Sequence, residues 1–249
     1  MGFLGSIFSK KEAKRDSFDL SVLKVDMHSH LIPGIDDGSK SMDETIGMLT
    51  KFENLGFKKV ITTPHIMSDY FRNTPEIILG GMEKVQAELK RINLNIEFEA
   101  AAEYYYDETL MEKLKNKEKL LTFGDNYLLF EFSFHSEPSQ IDNLIFEMIT
   151  QNYKPVLAHF ERYVFLHGSI DKATEWREKG VNIQLNYNSL TGHYGPEVLK
   201  QARKLVDSGQ IDFVATDCHR IEHLMTLEDN LSGEYFHKLG ELSLKNSNL

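Results

Sequence analysis

From residue 22 onward, short β-branched or aromatic runs alternate with amphipathic stretches of ten to seventeen residues, the pattern of parallel strands joined by helices. Seven strands are expected, at 23–27, 59–63, 96–101, 127–132, 155–158, 182–185 and 213–215. The helix punctuation agrees. Ser41 with Glu44 forms a capping box, Thr74-Pro75 reads as an N-cap with proline at the first helical position, and Gly56, Gly180 and Gly209 close helices. No Gly/Ser- or Pro-rich linker and no solenoid-length repeat interrupts the series, so 22–249 reads as one domain preceded by a tail over 1–21.

Polar residues follow nearly every strand. His28 and His30 follow the first, His65 the second and Glu103 the third; Glu131 ends the fourth, His159 follows the fifth, and Asp217 and His219 follow the seventh. An open doubly wound sheet gathers its ligands at one switch-point crevice, whereas a barrel brings all its C-terminal strand ends around one mouth. The expected fold is therefore α/β, a TIM-like (β/α) barrel of seven units.

His28-x-His30 projects two imidazoles to one side of a strand end, and Asp217-x-His219 repeats that geometry with a carboxylate and an imidazole. Between them lie Asp36-Asp37 in a glycine-flanked loop, His65, Glu103, Glu131 and His159. Each has an ordinary structural reading: Asp36 or Asp37 as a turn residue, Glu131 between two phenylalanines as a buried ion-pair partner, a lone histidine as hydrogen-bonded packing. Five histidines and at least four carboxylates in register with strand ends are poorly explained one by one. Together they suit two or three divalent ions, and the lack of clustered thiolates points to manganese, iron or zinc in a catalytic site rather than a structural zinc ribbon.

Composition narrows the picture. In 249 residues, 28 Lys+Arg against 38 Asp+Glu give a net charge of −10, with no basic block to track a phosphate backbone, so nucleic acid is not an expected partner. Three divalent ions would bring −10 to −4, and a filled site would attract an anion. Arg162, three residues after His159, and Arg220, next to His219, are placed to hold a phosphate, with surface ion pairs as their alternative role. One cysteine, Cys218, permits no internal disulfide, and the sequence has neither a signal peptide nor an apolar run of about 18 residues, which leaves the cytoplasm as the expected compartment. An apolar-then-basic stretch over 1–15 allows a mobile tail or peripheral membrane docking, and Gly2 with Ser6 fits a myristoylation pattern.

With these residues in hand, the sequence resembles the polymerase and histidinol phosphatase (PHP) superfamily through DMHSH at 26–30, TTPH at 62–65, AHFER at 158–162 and TDCH at 216–219. Within it, HSHLIPGIDDGSKSMDE at 28–44, AAEYYY, LLFEFSF and NYNSLTGHYG at 186–195 are similar to the manganese-dependent bacterial protein tyrosine phosphatases of capsule and exopolysaccharide operons, the CpsB/YwqE type. The likeness covers about 22–230 and implies a distorted barrel with a trinuclear site. It implies one metal on His28, His30, Glu103 and Asp217, a second bridged by Glu103 to Glu131 and His159, and a third on Asp37, His65 and His219. The family's phosphate-binding arginine falls on Arg162; a further family arginine beyond the DxH motif has no counterpart at its spacing, and Arg220 is the substitute.

The implied chemistry is hydrolysis of phosphotyrosine by metal-activated hydroxide, on the tail of a membrane-bound bacterial tyrosine kinase that controls polysaccharide export. A cysteine mechanism is excluded, because C-x5-R would need arginine at position 224, where Leu224 stands. Histidinol-phosphate phosphatase is the alternative on the same scaffold, and a non-catalytic metal-binding module is a third reading.

Overall fold

The computed structural model describes residues 16–249. The expected roles of 1–15, as mobile tail, membrane anchor or lipidation site at Gly2, lie outside the described residues.

In chain order the elements are β1 (Val25–Asp26), α1 (Met42–Asn54), β2 (Lys59–Thr62), β3 (His65–Ile66), α2 (Pro75–Ile92), β4 (Glu97–Ala100) and β5 (Glu103–Tyr105). There follow α3 (Glu108–Lys115), β6 (Tyr127–Glu131), α4 (Ile141–Thr150), β7 (Lys154–Leu157), α5 (Asp171–Glu178) and β8 (Asn182–Asn186). The chain closes with α6 (Pro196–Ser208), β9 (Phe213–Ala215), α7 (Ile221–Asn230) and α8 (Glu234–Gly240). Every strand pair is parallel.

Two expected strands are broken. The second stops at Thr62 and resumes at His65 after Pro64, whose missing N–H cannot continue the ladder, and the third breaks at Ala101-Ala102. The second halves join a different sheet, giving β1-β2-β4 and β3-β5-β6-β7-β8-β9. His65 and Glu103 therefore open β3 and β5, where the sequence suggested that they trail their strands.

The far edge returns to the first strand. Ser29 and Cys218 form a parallel bridge, His30 N donates to Cys218 O at 2.8 Å, and Asp217 N donates to His28 O at 2.9 Å. Asn246 donates to both Val25 O (3.0 Å) and Val214 O (2.7 Å), tying β1 to β9. The result is a curled half-barrel rather than an evenly closed ring. Its interior is filled by Val25, Met27, Ile61, Leu129, Val156 and Phe213, while a larger core packs the helices on the outside.

Local signals hold the helices as expected. Ser41 Oγ accepts Glu44 N at 3.2 Å, but Glu44 Oε2 reaches back to Lys40 N (2.9 Å) rather than to Ser41. Thr74 caps α2, which ends on left-handed Asn93 (φ 56°). α8, outside the seven expected units, buries Phe236 and Leu239. The packed body begins ahead of residue 22: Leu20 is 1% exposed and Phe18 N donates to Leu231 O at 2.9 Å.

Candidate metal centre

Nine side chains converge at the C-terminal strand ends. His28 Nε2 lies 3.1 Å from Glu103 Oε2 and 3.4 Å from Asp217 Oδ1, and His30 Nε2 lies 3.3 and 3.5 Å from the same two oxygens. Ligand atoms of His28, His30 and Glu103 all fall within 4.8 Å of one another. On the other side of Glu103, its Oε1 faces His159 Nε2 at 3.2 Å, and Glu131 Oε2 approaches that nitrogen at 3.6 Å. His65 Nδ1 stands 3.2 Å from Glu103 Oε2 and 3.4 Å from Glu131 Oε1. A further group joins His30, Asp37, His65 and His219, with Asp37 Oδ1 3.6 Å from His65 Nε2 and 3.4 Å from His219 Nε2. His65 thus touches two groups, where the resemblance put it in one.

Asp36 and Asp37 differ in what they contact. Asp36 Oδ2 accepts a hydrogen bond from His30 Nδ1 at 2.8 Å and from His65 N at 3.2 Å, so it orients the His30 ring from behind. Asp37, half exposed, presents its carboxylate to the imidazoles instead.

A buried chain of amides, unread in the sequence, aligns His28, His159 and Asp217. Gln184 Oε1 accepts from His28 Nδ1 (3.1 Å) and His159 N (2.8 Å), which leaves His28 Nε2 as the free lone pair. Gln184 Nε2 donates to Asn186 Oδ1 at 2.8 Å, and Asn186 Nδ2 donates to Asp217 Oδ2 at 2.9 Å. His219 Nδ1 donates to Asp217 O at 2.9 Å, turning Nε2 toward Asp37. His159 (φ 35°) and Asp217 (φ 49°) sit in the left-handed region that non-glycine residues seldom occupy, a local strain typical of functional positions.

The electrostatics suit divalent cations. Burial, then the neighbouring charges of Glu103 and Asp217, push the Glu131 carboxyl well above its ordinary range. Burial acts on Glu103 in the same direction but is outweighed by His28 and His65, which hold it well below. His159 is pushed down to about 4, chiefly by burial, so its ring is neutral. His65 Nδ1 is buried and makes no hydrogen bond although Glu103 Oε2 is 3.2 Å away, the geometry of two donors to a common ion rather than to each other. Burial acts against protonation of His28 and His30, but Glu103 and Asp217 outweigh it and raise the His28 pKa, and Asp36 with the same carboxylates raises His30 well above the usual imidazole range, so a cation placed among these groups would take over the balancing role of those protons. Imidazoles and clustered carboxylates, all N/O donors, form a set that manganese, iron or zinc fits.

Arg162 borders this cluster. Its guanidinium lies between the rings of Phe134 and Tyr194, each 4.6 Å away, while Nη1 donates to Asp217 Oδ2 at 2.9 Å. One edge is thereby fixed and a quarter of the side chain stays accessible. Arg220 stands apart: it is exposed and lines a cavity beside Asp37 and His219. Cys218 is buried, and its carbonyl serves the β1 bridge.

Residues 24–227 match the capsular polysaccharide synthesis family CpsB/CapC. The chain belongs to this family. A putative tyrosine-protein phosphatase CapC of Staphylococcus aureus is 30% identical over 199 residues, covering 79% of this chain and 77% of that protein. The tyrosine-protein phosphatase YwqE of Bacillus subtilis is 27% identical, covering 90% and 93%. Among solved structures, one described with the YwqE and CpsB proteins as unique metal-dependent tyrosine phosphatases superposes with a TM-score of 0.75 at 26% identity, over 87% of this chain and 91% of that one. A lactonase of Listeria monocytogenes, 13% identical with a TM-score of 0.50, shares the fold alone. Among the described residues no helix is long and apolar enough to cross a membrane.

Proposed function

We propose that this CpsB/CapC member hydrolyses phosphotyrosine on protein substrates, using two or three divalent ions, manganese foremost. The observation that carries this reading is the convergence of nine N/O ligands on one mouth, with a clamped arginine at its edge. The assigned ligands are His28, His30, Asp37, His65, Glu103, Glu131, His159, Asp217 and His219, and the relatives' activity supports phosphotyrosine over histidinol phosphate.

When bound, the ions would acidify water and neutralise charge on the phosphoryl oxygens. The protein's own groups do the rest. Asp36, Gln184 and Asn186 hold the ligand imidazoles and Asp217 in one tautomer and orientation, so little reorganisation is needed as charge develops. Arg162 offers its free guanidinium edge to the phosphate, with Phe134 and Tyr194 preventing rotation. The departing phenolate, with a pKa of about 10, needs less protonation than an alkoxide, and no general acid is assigned.

The proposed cellular substrate is the tail of a membrane-bound bacterial tyrosine kinase, with residues 1–15 bringing the enzyme to the membrane; recruitment unaffected by deleting them would refute that second part. Phosphate release after manganese loading, compared across a phosphotyrosyl peptide, histidinol phosphate and a phosphoseryl peptide with EDTA controls, tests the whole. Chelator-sensitive turnover strongest on phosphotyrosine is expected. Preference for histidinol phosphate would move the protein to another substrate, and silence on all three would favour a binding module.

A further inference from the structure

No step of the phosphoryl chemistry uses Glu161, the acidic residue of the AHFER run, yet its side chain is completely buried one residue before Arg162. A buried carboxyl is costly to desolvate, so a position that only had to be filled would take an apolar side chain. Its bonds go to a distant part of the chain. Glu161 Oε1 accepts hydrogen bonds from Asn186 N at 3.0 Å and from Ser189 Oγ at 2.5 Å. It thereby holds the end of β8 and the buried 3-10 turn Tyr187–Leu190 that follows.

Both supports of the Arg162 guanidinium pass through that segment. Asn186 Nδ2 donates to Asp217 Oδ2, the same oxygen that accepts from Arg162 Nη1, each at 2.9 Å. The contacts close a ring: Glu161 to Asn186, Asn186 to Asp217, Asp217 to Arg162, and Arg162 back to Glu161 through one peptide bond. Beyond Leu190 the same segment supplies Tyr194, whose ring lies 4.6 Å from the guanidinium. Such a ring restricts a long side chain that would otherwise keep much of its rotamer freedom.

We infer that Glu161 is a positioning residue for Arg162: its carboxyl fixes Asn186 and Ser189, and through them the guanidinium whose free edge faces the mouth. The inference rests on the phosphotyrosine reading, in which Arg162 holds the phosphate, and adds the residue that aims it.

Glu161→Leu strands both donors, whereas Glu161→Gln keeps an acceptor oxygen for them. The first readout needs neither metal nor turnover: the rate at which phenylglyoxal modifies Arg162 in the metal-free protein, mapped by mass spectrometry, with Arg177 as internal standard. The Arg177 side chain is comparably accessible, 31% against 25%, and is likewise held by a carboxylate, but that carboxylate, Asp212, precedes β9 while Asp217 follows it. Glu161→Leu should speed modification of Arg162 severalfold and leave Arg177 unchanged, with Glu161→Gln behaving as wild type. The second readout is kcat/KM of manganese-loaded enzyme on a phosphotyrosyl peptide. Glu161→Leu should lower it by about 10–100-fold, the usual effect of losing a supporting hydrogen-bond partner, and Glu161→Gln should restore it. In an Arg162→Ala background the leucine change should have little further effect, because the group it aims is gone. Ser189→Ala removes one of the two bonds and should move both readouts the same way by less; it takes the place of Glu161→Leu if thermal melts show that variant unfolded. Unchanged Arg162 reactivity, or equal acceleration at Arg162 and Arg177, overturns the inference, as does a Glu161→Leu loss of equal size with and without Arg162. Faster Arg162 modification with undiminished turnover removes Arg162 from phosphate binding and the inferred role of Glu161 with it. A wild type that turns over no phosphotyrosyl peptide overturns the phosphatase reading, and the reactivity of Arg162 then decides the positioning alone.

Discussion

Gln184→Leu is the sharpest perturbation of the candidate centre that leaves every ligand in place. Leucine matches glutamine closely in volume but strands two buried donors, His28 Nδ1–H and His159 N–H, and cuts the link through Asn186 to Asp217. Gln184 is fully buried, so water cannot step in. An unsatisfied buried donor costs about 1–3 kcal/mol, so two cost about 2–6 kcal/mol of stability. At about 2–4 °C per kcal/mol for a chain of this size, the metal-free protein should melt at least about 4 °C lower. The rotational freedom returned to His28 should weaken manganese binding by about 10–100-fold, the usual effect of losing a hydrogen-bond partner behind a ligand. Differential scanning calorimetry in EDTA gives the first number and a manganese titration the second. Wild-type manganese affinity in a variant that melts within about 2 °C of the parent would show that the amide chain does not organise the site.

Other consequences are equally direct. Arg162→Lys keeps the charge but loses the planar group held between Phe134 and Tyr194, and should lower kcat/KM on phosphotyrosyl peptide by about 100-fold; a loss below about threefold would remove Arg162 from phosphate binding. Asp37→Asn should lower the number of ions retained after dialysis, read by elemental analysis, whereas Asp36→Asn should keep the number and weaken affinity by about 10–100-fold. Burial lowers the His223 pKa from 6.5 to about 4, so between those values the unfolded chain binds more protons and stability falls as pH falls. Denaturant unfolding of the metal-free protein should show His223→Gln losing less stability than wild type from pH 6.5 to 4; parallel pH profiles would contradict the assignment.

Much of this protein is written locally. Strand runs, helix caps and turn glycines depend on neighbours a few residues away, and the last strand, at 213–215, is found where the alternation placed it. The pairs His28/His30 and Asp217/His219, candidate ligands at the mouth, are legible for the same reason, since i, i+2 at a strand end is a local geometry. The ring of polar residues after successive strands was enough to favour a barrel mouth over a crevice.

What only tertiary structure decided is whatever depends on distant partners. Asp36 and Asp37 are chemically identical and adjacent; one supports His30 and the other faces His65 and His219 because the folded loop points them in different directions. Nothing in the local sequence marks Gln184 and Asn186 for their role, which appears only when the curled sheet brings Gln184 against His28, 156 residues away. The breaks after β2 and β4 likewise follow from sheet closure: the strands must change partners to curl, and neither Pro64 nor the Ala101-Ala102 pair says by itself which sheet the second half will join. Residue type and spacing are properties of the chain, but orientation toward a shared point is a property of packing, and the candidate centre exists only at that level.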